Sequence, residues 1–307
     1  MGYRLLYLLF FTLSLLPLGM LYLFADFLAW LAGSVVKYRR RVVLDNLRSS
    51  FPEKSEKELH KIARDFYRFL ADYFVETVKL TTMSRREIEK RMRFENVEQM
   101  DEVLREGRNV SVFLGHYCNW EWISSFPLHK KAAGMAGQIY HPLENRAADR
   151  LFLHIRQRFG AVSIPMASTL QTLMKWKREG VPSVTGYIAD QVPGYDGIHL
   201  FLDFLHHPDT PVFTGAERIS RMFGAAGFYA HVERPRRGYY VCRFEKIAEN
   251  ASDLPIFELT RHYYERLEAQ IEAAPQYWLW SHRRWKRTRA GFYEYHGADA
   301  DRLLRRL

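Results

Sequence analysis

Between Leu5 and Ala25 no charged side chain interrupts the chain, and about 21 helical residues reach roughly 31 Å, the thickness of a bilayer's hydrocarbon core. Asp26 ends this run, a second uncharged stretch continues to Val36, and Lys37, Arg39, Arg40 and Arg41 follow. The pattern predicts a membrane segment whose basic flank, heavier than Arg4 on the other side, keeps the remainder of the chain cytoplasmic. A cleaved secretory signal fits poorly, since its apolar stretch would be shorter, its start more basic and its end marked by small residues. Pro17, Gly19 and Asp26 leave two arrangements open, a single span or a pair of helices lying in the interface. Residues 1–36 are set apart as an anchor. Residues 37–307 read as one domain, because no linker rich in Pro, Gly or Ser divides them.

Beyond the anchor, Ser55-Glu-Lys-Glu58 has the pattern of a capping box. Leu59, Ile62, Phe66, Leu70, Tyr73, Phe74 and Val78 follow at helical spacing, predicting an amphipathic helix whose apolar face needs a partner. Short β-rich runs then begin at Val110–Leu114, Met135–Tyr140, Ala161–Ile164, Val181–Ile188, Gly227–Val232 and Tyr239–Phe244. Helical stretches near Ala147–Phe159, Thr169–Lys177 and Gly215–Met222 alternate with them. This alternation predicts an α/β fold, a mixed sheet flanked by helices. A second capping-box pattern, Thr214-Gly-Ala-Glu217, makes Thr214 a helix cap rather than a ligand contact.

Composition narrows the picture. With 307 residues, 48% of them hydrophobic and 15% aromatic, the chain can bury a real core and is not disordered. Its mean hydropathy of −0.30 is too polar for a polytopic membrane protein, so membrane contact must be local. Two cysteines, Cys118 and Cys242, suggest neither a disulfide framework nor a zinc cluster and fit a reducing compartment. Net charge is +10, but the charge is dispersed and no nucleic-acid module is recognisable.

Candidate chemistry sits where the first β run ends, in Leu114-Gly-His116-Tyr-Cys-Asn119-Trp-Glu121-Trp. The carboxyl ends of strands are where open α/β sheets bind ligands. A histidine with a carboxylate on Nδ1 can act as general base through Nε2, the carboxylate fixing the tautomer and stabilising the imidazolium. Cys118 raises the alternative of a thiol nucleophile, but nothing marks a depressed thiol pKa and direct attack by an acceptor hydroxyl needs no enzyme nucleophile. A metal site is not indicated, as His116 and Glu121 lack a clear third ligand, and no cofactor is required. Asp190 and Gln191, at the end of another β run, either close a turn before Pro193 or bind polar substrate groups. The block from His282 to Arg289 is basic, and Arg283, Arg284 and Lys286 suit anionic headgroups beside a membrane.

The string Gly-His-Tyr-Cys-Asn-Trp-Glu resembles the H-x4-E motif of the late lipid A acyltransferases, the lauroyl and myristoyl transferase family. Ordered blocks extend the resemblance nearly full length. They are the apolar N-terminus, Asn46-Leu-Arg-Ser-Ser-Phe-Pro-Glu53, Asn145 with Arg156, Ala189-Asp190-Gln191, Pro211-Val-Phe-Thr214-Gly215, and Trp278-Leu-Trp-Ser-His282-Arg-Arg-Trp-Lys286. The resemblance implies a glycerol-phosphate-acyltransferase-like fold with His116 as general base and Glu121 as its partner. Arg156 would stabilise the oxyanion or bind substrate, with Asn119 and Asn145 also on the substrate side. It implies acyl-acyl carrier protein as donor, a lipid A precursor as acceptor, and the cytoplasmic face of the inner membrane. Transfer to another glycolipid, such as a phosphatidylinositol mannoside, and a non-catalytic basic surface binder are the competing expectations.

Overall fold

The computed structural model of the chain describes residues 2–304. Pro17, which has no N–H to donate, divides the apolar N-terminal stretch into two helices. These are α1 (Tyr3–Ser14) and α2 (Leu18–Trp30), the latter extended by a π turn, Leu31–Val35. At 1.5 Å per residue α1 is only ~18 Å long. Leu18–Val35 is the piece long and apolar enough to cross a membrane by length and composition. After α3 (Arg40–Ser50) comes α4 (Glu56–Leu80), opened by the expected capping box: the Ser55 side chain accepts from the Glu58 N–H while Glu58 accepts from the Ser55 N–H.

Both N-terminal helices lie on α4. Phe10, Leu18, Leu21, Ala25 and Ala29 are buried in the same apolar cluster as Phe66, Val75 and the sheet, while Leu5, Leu9, Leu23, Phe27 and Trp30 face outward. The carbonyls that α1 leaves open at its end are met from α4 and the turn after it. Lys79 Nζ donates to the Ser14 and Leu16 oxygens at 2.7 and 2.9 Å, and Thr82 Oγ1 donates to Ser14 O at 2.9 Å. That satisfies groups a helix terminus otherwise surrenders to water.

The rest is the mixed sheet, reached through α5 (Arg85–Arg91). Its strands are β1 (Met92–Glu95), β2 (Val110–Leu114), β3 (Met135–Tyr140), β4 (Val162–Pro165) and β5 (Ser183–Ile188), followed later in the chain by the hairpin strands described below. Helices α6 (Val97–Arg105), α7 (Arg146–Arg156) and α8 (Thr169–Arg178) fall between them. A separate two-stranded hairpin, β6 (Ile198–Phe204) and β7 (His207–Phe213), precedes α9 (Gly215–Met222). The large sheet closes with β8 (Ala226–Arg236) and β9 (Tyr239–Ala248), backed by α10 (Glu258–Ala273). Two short helices follow, α11 (Arg289–His296) and α12 (Ala300–Leu303).

Strand order is β1-β9-β8-β2-β5-β3-β4. All pairings are parallel except β8 with β9. Every residue of β2 is buried, as expected of a parallel strand covered on both faces. At the β8–β9 turn, Gly238 has φ +73°, and a Cβ there would collide with the Tyr22 hydroxyl, so only glycine fits. The second capping box does not form. Thr214 makes no side-chain cap, and Glu217, fully buried, instead accepts from the N–H groups of Phe257 and Thr260 and from Thr260 Oγ1 at the start of α10.

Candidate active site

The parallel register of β2 on β5 pairs Leu114 with Ile188. Continuing both strands by two residues brings His116 beside Asp190 at their carboxyl ends. His116 Nδ1 lies 2.6 Å from Asp190 Oδ1, and the His116 N–H donates to Oδ2 at 2.8 Å. Trp278 Nε1 donates a third bond to Oδ2 at 2.8 Å. Burial alone would push the Asp190 carboxyl up, but the His116 charge and these hydrogen bonds prevail and hold it below the usual carboxylate range. Gly115 permits the approach, since a Cβ there would sit 2.8 Å from Leu267 Cδ1 and 3.3 Å from Asp190 Oδ2.

The carboxylate on His116 is therefore Asp190, not Glu121. Glu121 is spoken for: Arg156 Nε and Nη2 donate to its two oxygens at 2.7 and 2.5 Å, and Tyr73 of α4 donates at 3.1 Å. That carboxylate is taken up by a planar guanidinium fork and a phenol, and among the described residues it makes no hydrogen bond with the imidazole. Burial works against the Arg156 charge, but Glu121 more than compensates and raises its pKa. The Tyr73 hydroxyl is kept protonated, chiefly by burial and then by Glu121. Tyr73 also stacks on Trp120, with ring centroids 4.1 Å apart, and Trp120 meets the His116 ring edge-on at 5.1 Å.

His116 Nε2 opens onto a cavity of about 650 Å³, lined on its apolar side by Leu114, Ile123, Phe126, Ile139, Phe213 and Ile219 and on its polar side by Arg156 and Gln191. Such a concave, mainly apolar site with a few converging polar groups is how small-molecule sites are built. Gln191 Nε2 stands 3.4 Å from His116 Nε2. Among the described residues, Arg156 Nη1 donates no hydrogen bond.

Other expected site residues are held elsewhere. Asn119 is fully buried, donating to Glu76 Oε2 at 2.6 Å and accepting from the Trp122 N–H. Its hydrogen bonds tie the loop down and leave nothing for a substrate. Asn145 caps α7 through the N–H groups of Ala147 and Ala148. Cys118 is completely buried, and burial pushes its thiol well above the ordinary range, so it supplies no thiolate nucleophile. The basic block splits: Arg283 and Lys286 are exposed, whereas Arg284 is 1% exposed beneath Phe204 and Tyr264 and presents no guanidinium to a surface ligand. Tyr73, Glu76 and Trp278 were missed by sequence reading. Trp278 lay within a recognised block, but its indole could be assigned to Asp190 only with the fold in hand.

A family model described as "Bacterial lipid A biosynthesis acyltransferase" matches residues 2–287. Among curated relatives, a "Lipid A biosynthesis acyltransferase" of Haemophilus influenzae is 23% identical over 254 residues, covering 82% of this chain and 76% of the relative. The match takes in the strand-end histidine, the Glu121–Arg156 clamp, Asp190 and the tryptophan block as well as both apolar N-terminal helices: the chain belongs to the bacterial lipid A biosynthesis acyltransferase family and is an acyltransferase.

Proposed function

We propose that this enzyme moves a fatty acyl chain from the thioester of an acyl carrier protein to a hydroxyl of a lipid A precursor, at the cytoplasmic face of the inner membrane. The observation that carries the reading is His116, bound through Nδ1 by Asp190 and opening through Nε2 onto the apolar cavity. The acceptor hydroxyl takes the place of the Gln191 amide at Nε2. His116 accepts its proton as the oxygen attacks the thioester carbonyl, and the charge of Asp190 stabilises the imidazolium. The tetrahedral oxyanion is stabilised by Arg156, whose orientation is fixed by the Glu121 clamp. Collapse breaks the carbon–sulfur bond, and the departing thiolate takes the proton back from Nε2. The acyl chain of the donor lies among Leu114, Ile123, Phe126 and Ile139.

The outward faces of α1 and α2 are the membrane contact. Tyr22 of α2 donates to Glu76 at 2.7 Å, and Asp26, one turn on, pairs with Arg237 at 2.7 Å. These ties favour helices lying against the bilayer over a helix that leaves the domain to span it. The test compares lipid A from cells with and without the gene by mass spectrometry, alongside purified enzyme given acyl carrier protein thioester and precursor. A mass increment of one acyl chain that depends on the gene is expected. Unchanged lipid A together with no transfer in vitro would sink the assignment.

A further inference from the structure

A second cavity, about 1030 Å³ in volume, opens between the end of α2, the first half of α4 and the β8–β9 turn. Six arginines and three aspartates line it. The aspartates are already engaged. Asp72, buried, accepts from Arg234 at 2.5 Å and Arg237 at 2.6 Å, Asp26 pairs with Arg237, and Asp65 with Lys61 at 2.8 Å and Arg68 at 3.7 Å. Arg40, Arg64 and Arg236 are left over. All three are exposed, and among the described residues no carboxylate lies within ion-pair reach of them. Three arginines from three different elements therefore line one concavity without a carboxylate partner of their own, Arg236 resting its guanidinium on the Tyr239 ring at 3.8 Å.

We infer that this cleft binds a phosphate of the lipid acceptor, an inference that rests on the proposed acylation of a lipid A precursor. Arginine forks match phosphate oxygens in pairs, and a recess admits a sugar phosphate where the convex surface of an acidic protein would not enter. Trp30 stands at the rim, 56% exposed, and Phe27 and Leu23 continue the apolar surface along α2. A lipid with its headgroup in the cleft thus has apolar wall beside its chains. One stretch of chain serves both places: Tyr277 lines the cleft, and the next residue, Trp278, donates to Asp190.

The test replaces two of the three free arginines, Arg64→Ala with Arg236→Ala, and measures transfer in detergent. KM for the phosphorylated acceptor should rise roughly tenfold per arginine, the loss of a charge-assisted hydrogen bond, with kcat and donor KM unchanged. Wild-type enzyme given dephosphorylated acceptor should show at least that rise, since Arg40 loses its partner too, and the double variant should add nothing to it. An unchanged acceptor KM overturns the proposal. A rise in donor KM alone assigns the cleft to the carrier protein. Loss of retention on anionic phospholipid vesicles with unchanged acceptor KM assigns it to bulk lipid, and both outcomes refute the inference. If wild type acylates neither acceptor, it is the functional reading that has failed. Calorimetric binding of the phosphorylated acceptor without donor then judges the cleft separately, loss in the double variant supporting it and equal affinity refuting it.

Discussion

Replacing Asp190 with Asn keeps size and shape and removes the charge. The carboxylate now accepts three hydrogen bonds, from the His116 N–H, His116 Nδ1 and Trp278 Nε1. The amide offers one oxygen, which stays with the backbone and the indole, and turns its NH2 toward Nδ1. The imidazole then carries its proton on Nε2, where it can donate but cannot accept from a hydroxyl. Losing a positioned base costs about 10²–10⁴ in rate, or roughly 3–5.5 kcal/mol of barrier at ~1.36 kcal/mol per decade. KM for either substrate should hardly move, because Asp190 is 2% exposed and its hydrogen bonds go to His116 and Trp278. Single-turnover transfer of a labelled acyl chain measures the step directly, and a thermal melt checks that the variant is folded.

Stability supplies a second reading of the same change. The pKa of Asp190 is lower folded than its usual value, so its contribution is complete above the unfolded value of ~3.9 and is lost as pH falls through the folded one. The stability gap between wild type and Asp190→Asn should therefore be widest above about pH 5 and shrink in acid. A folded Asp190→Asn enzyme that retains kcat within about threefold would refute the dyad, since positioned-base catalysis is worth far more than that.

Glu121→Gln breaks a buried fork by removing one partner, and should cost about 3–5 kcal/mol of stability as well as activity; an unchanged urea midpoint would mean the clamp carries no load. Cys118→Ala should keep activity within a few-fold and no acyl-thioester should be trapped on wild type, because its buried thiol is held protonated; an isolable Cys118 adduct would reverse this. Deleting residues 1–36 removes Phe10, Leu18 and Leu21 from the core, each worth ~1.5–3 kcal/mol of burial, out of a typical net stability of ~5–15 kcal/mol. The truncated chain should therefore lose its cooperative melt, and a soluble truncation with the full-length melting temperature would show that the anchor is separable.

What the sequence revealed and what it hid follow from the range of the interactions involved. Strands β2 and β3 were legible residue for residue because apolar runs bounded by turns are local, and α4 because its capping box and period are local. Helices α3, α6 and α10 went unread though their periods are visible. In α3, Val43, Leu44 and Leu47 are buried, and in α10, Leu259, Tyr263, Leu267 and Ile271. The first is masked by the arginines that precede it. The β6–β7 hairpin buries Ile198, Leu200, Leu202 and Phe204 at period two, but the polar His207-Pro208-Asp209 that opens β7 after the Leu205-His206 turn breaks the pattern. The carboxylate was the instructive case. Glu121 is five residues from His116 and invites pairing, whereas Asp190 is 74 residues away and becomes a neighbour only through the β2–β5 register. Glu217 misled for the same reason, its carboxylate serving a helix some 40 residues on.

Two elements serve both the chemistry and the apolar face. Along α4, Tyr73 steadies Glu121, Glu76 gathers Asn119, Tyr240 and Tyr22, and Lys79 closes the end of α1. On α7, Arg156 reaches Glu121 while His154 packs edge-on to Tyr7 at 5.3 Å and Arg150 lies over the Tyr3 ring at 4.4 Å. The helices that hold the clamp are thus the ones on which α1 and α2 rest. On the proposed membrane-facing reading this has a geometric purpose. An acceptor with several acyl chains stays in the bilayer, since each buried CH2 is worth about 0.8 kcal/mol, so its hydroxyl is available only at a fixed height near the interface. Tyr22 and Asp26, on one side of α2, lock its rotation against Glu76 and Arg237 and leave Leu23, Phe27 and Trp30 outward. That lock fixes the height of His116 relative to the apolar face, and orientation of this kind is what converts an encounter in two dimensions into a near-attack geometry.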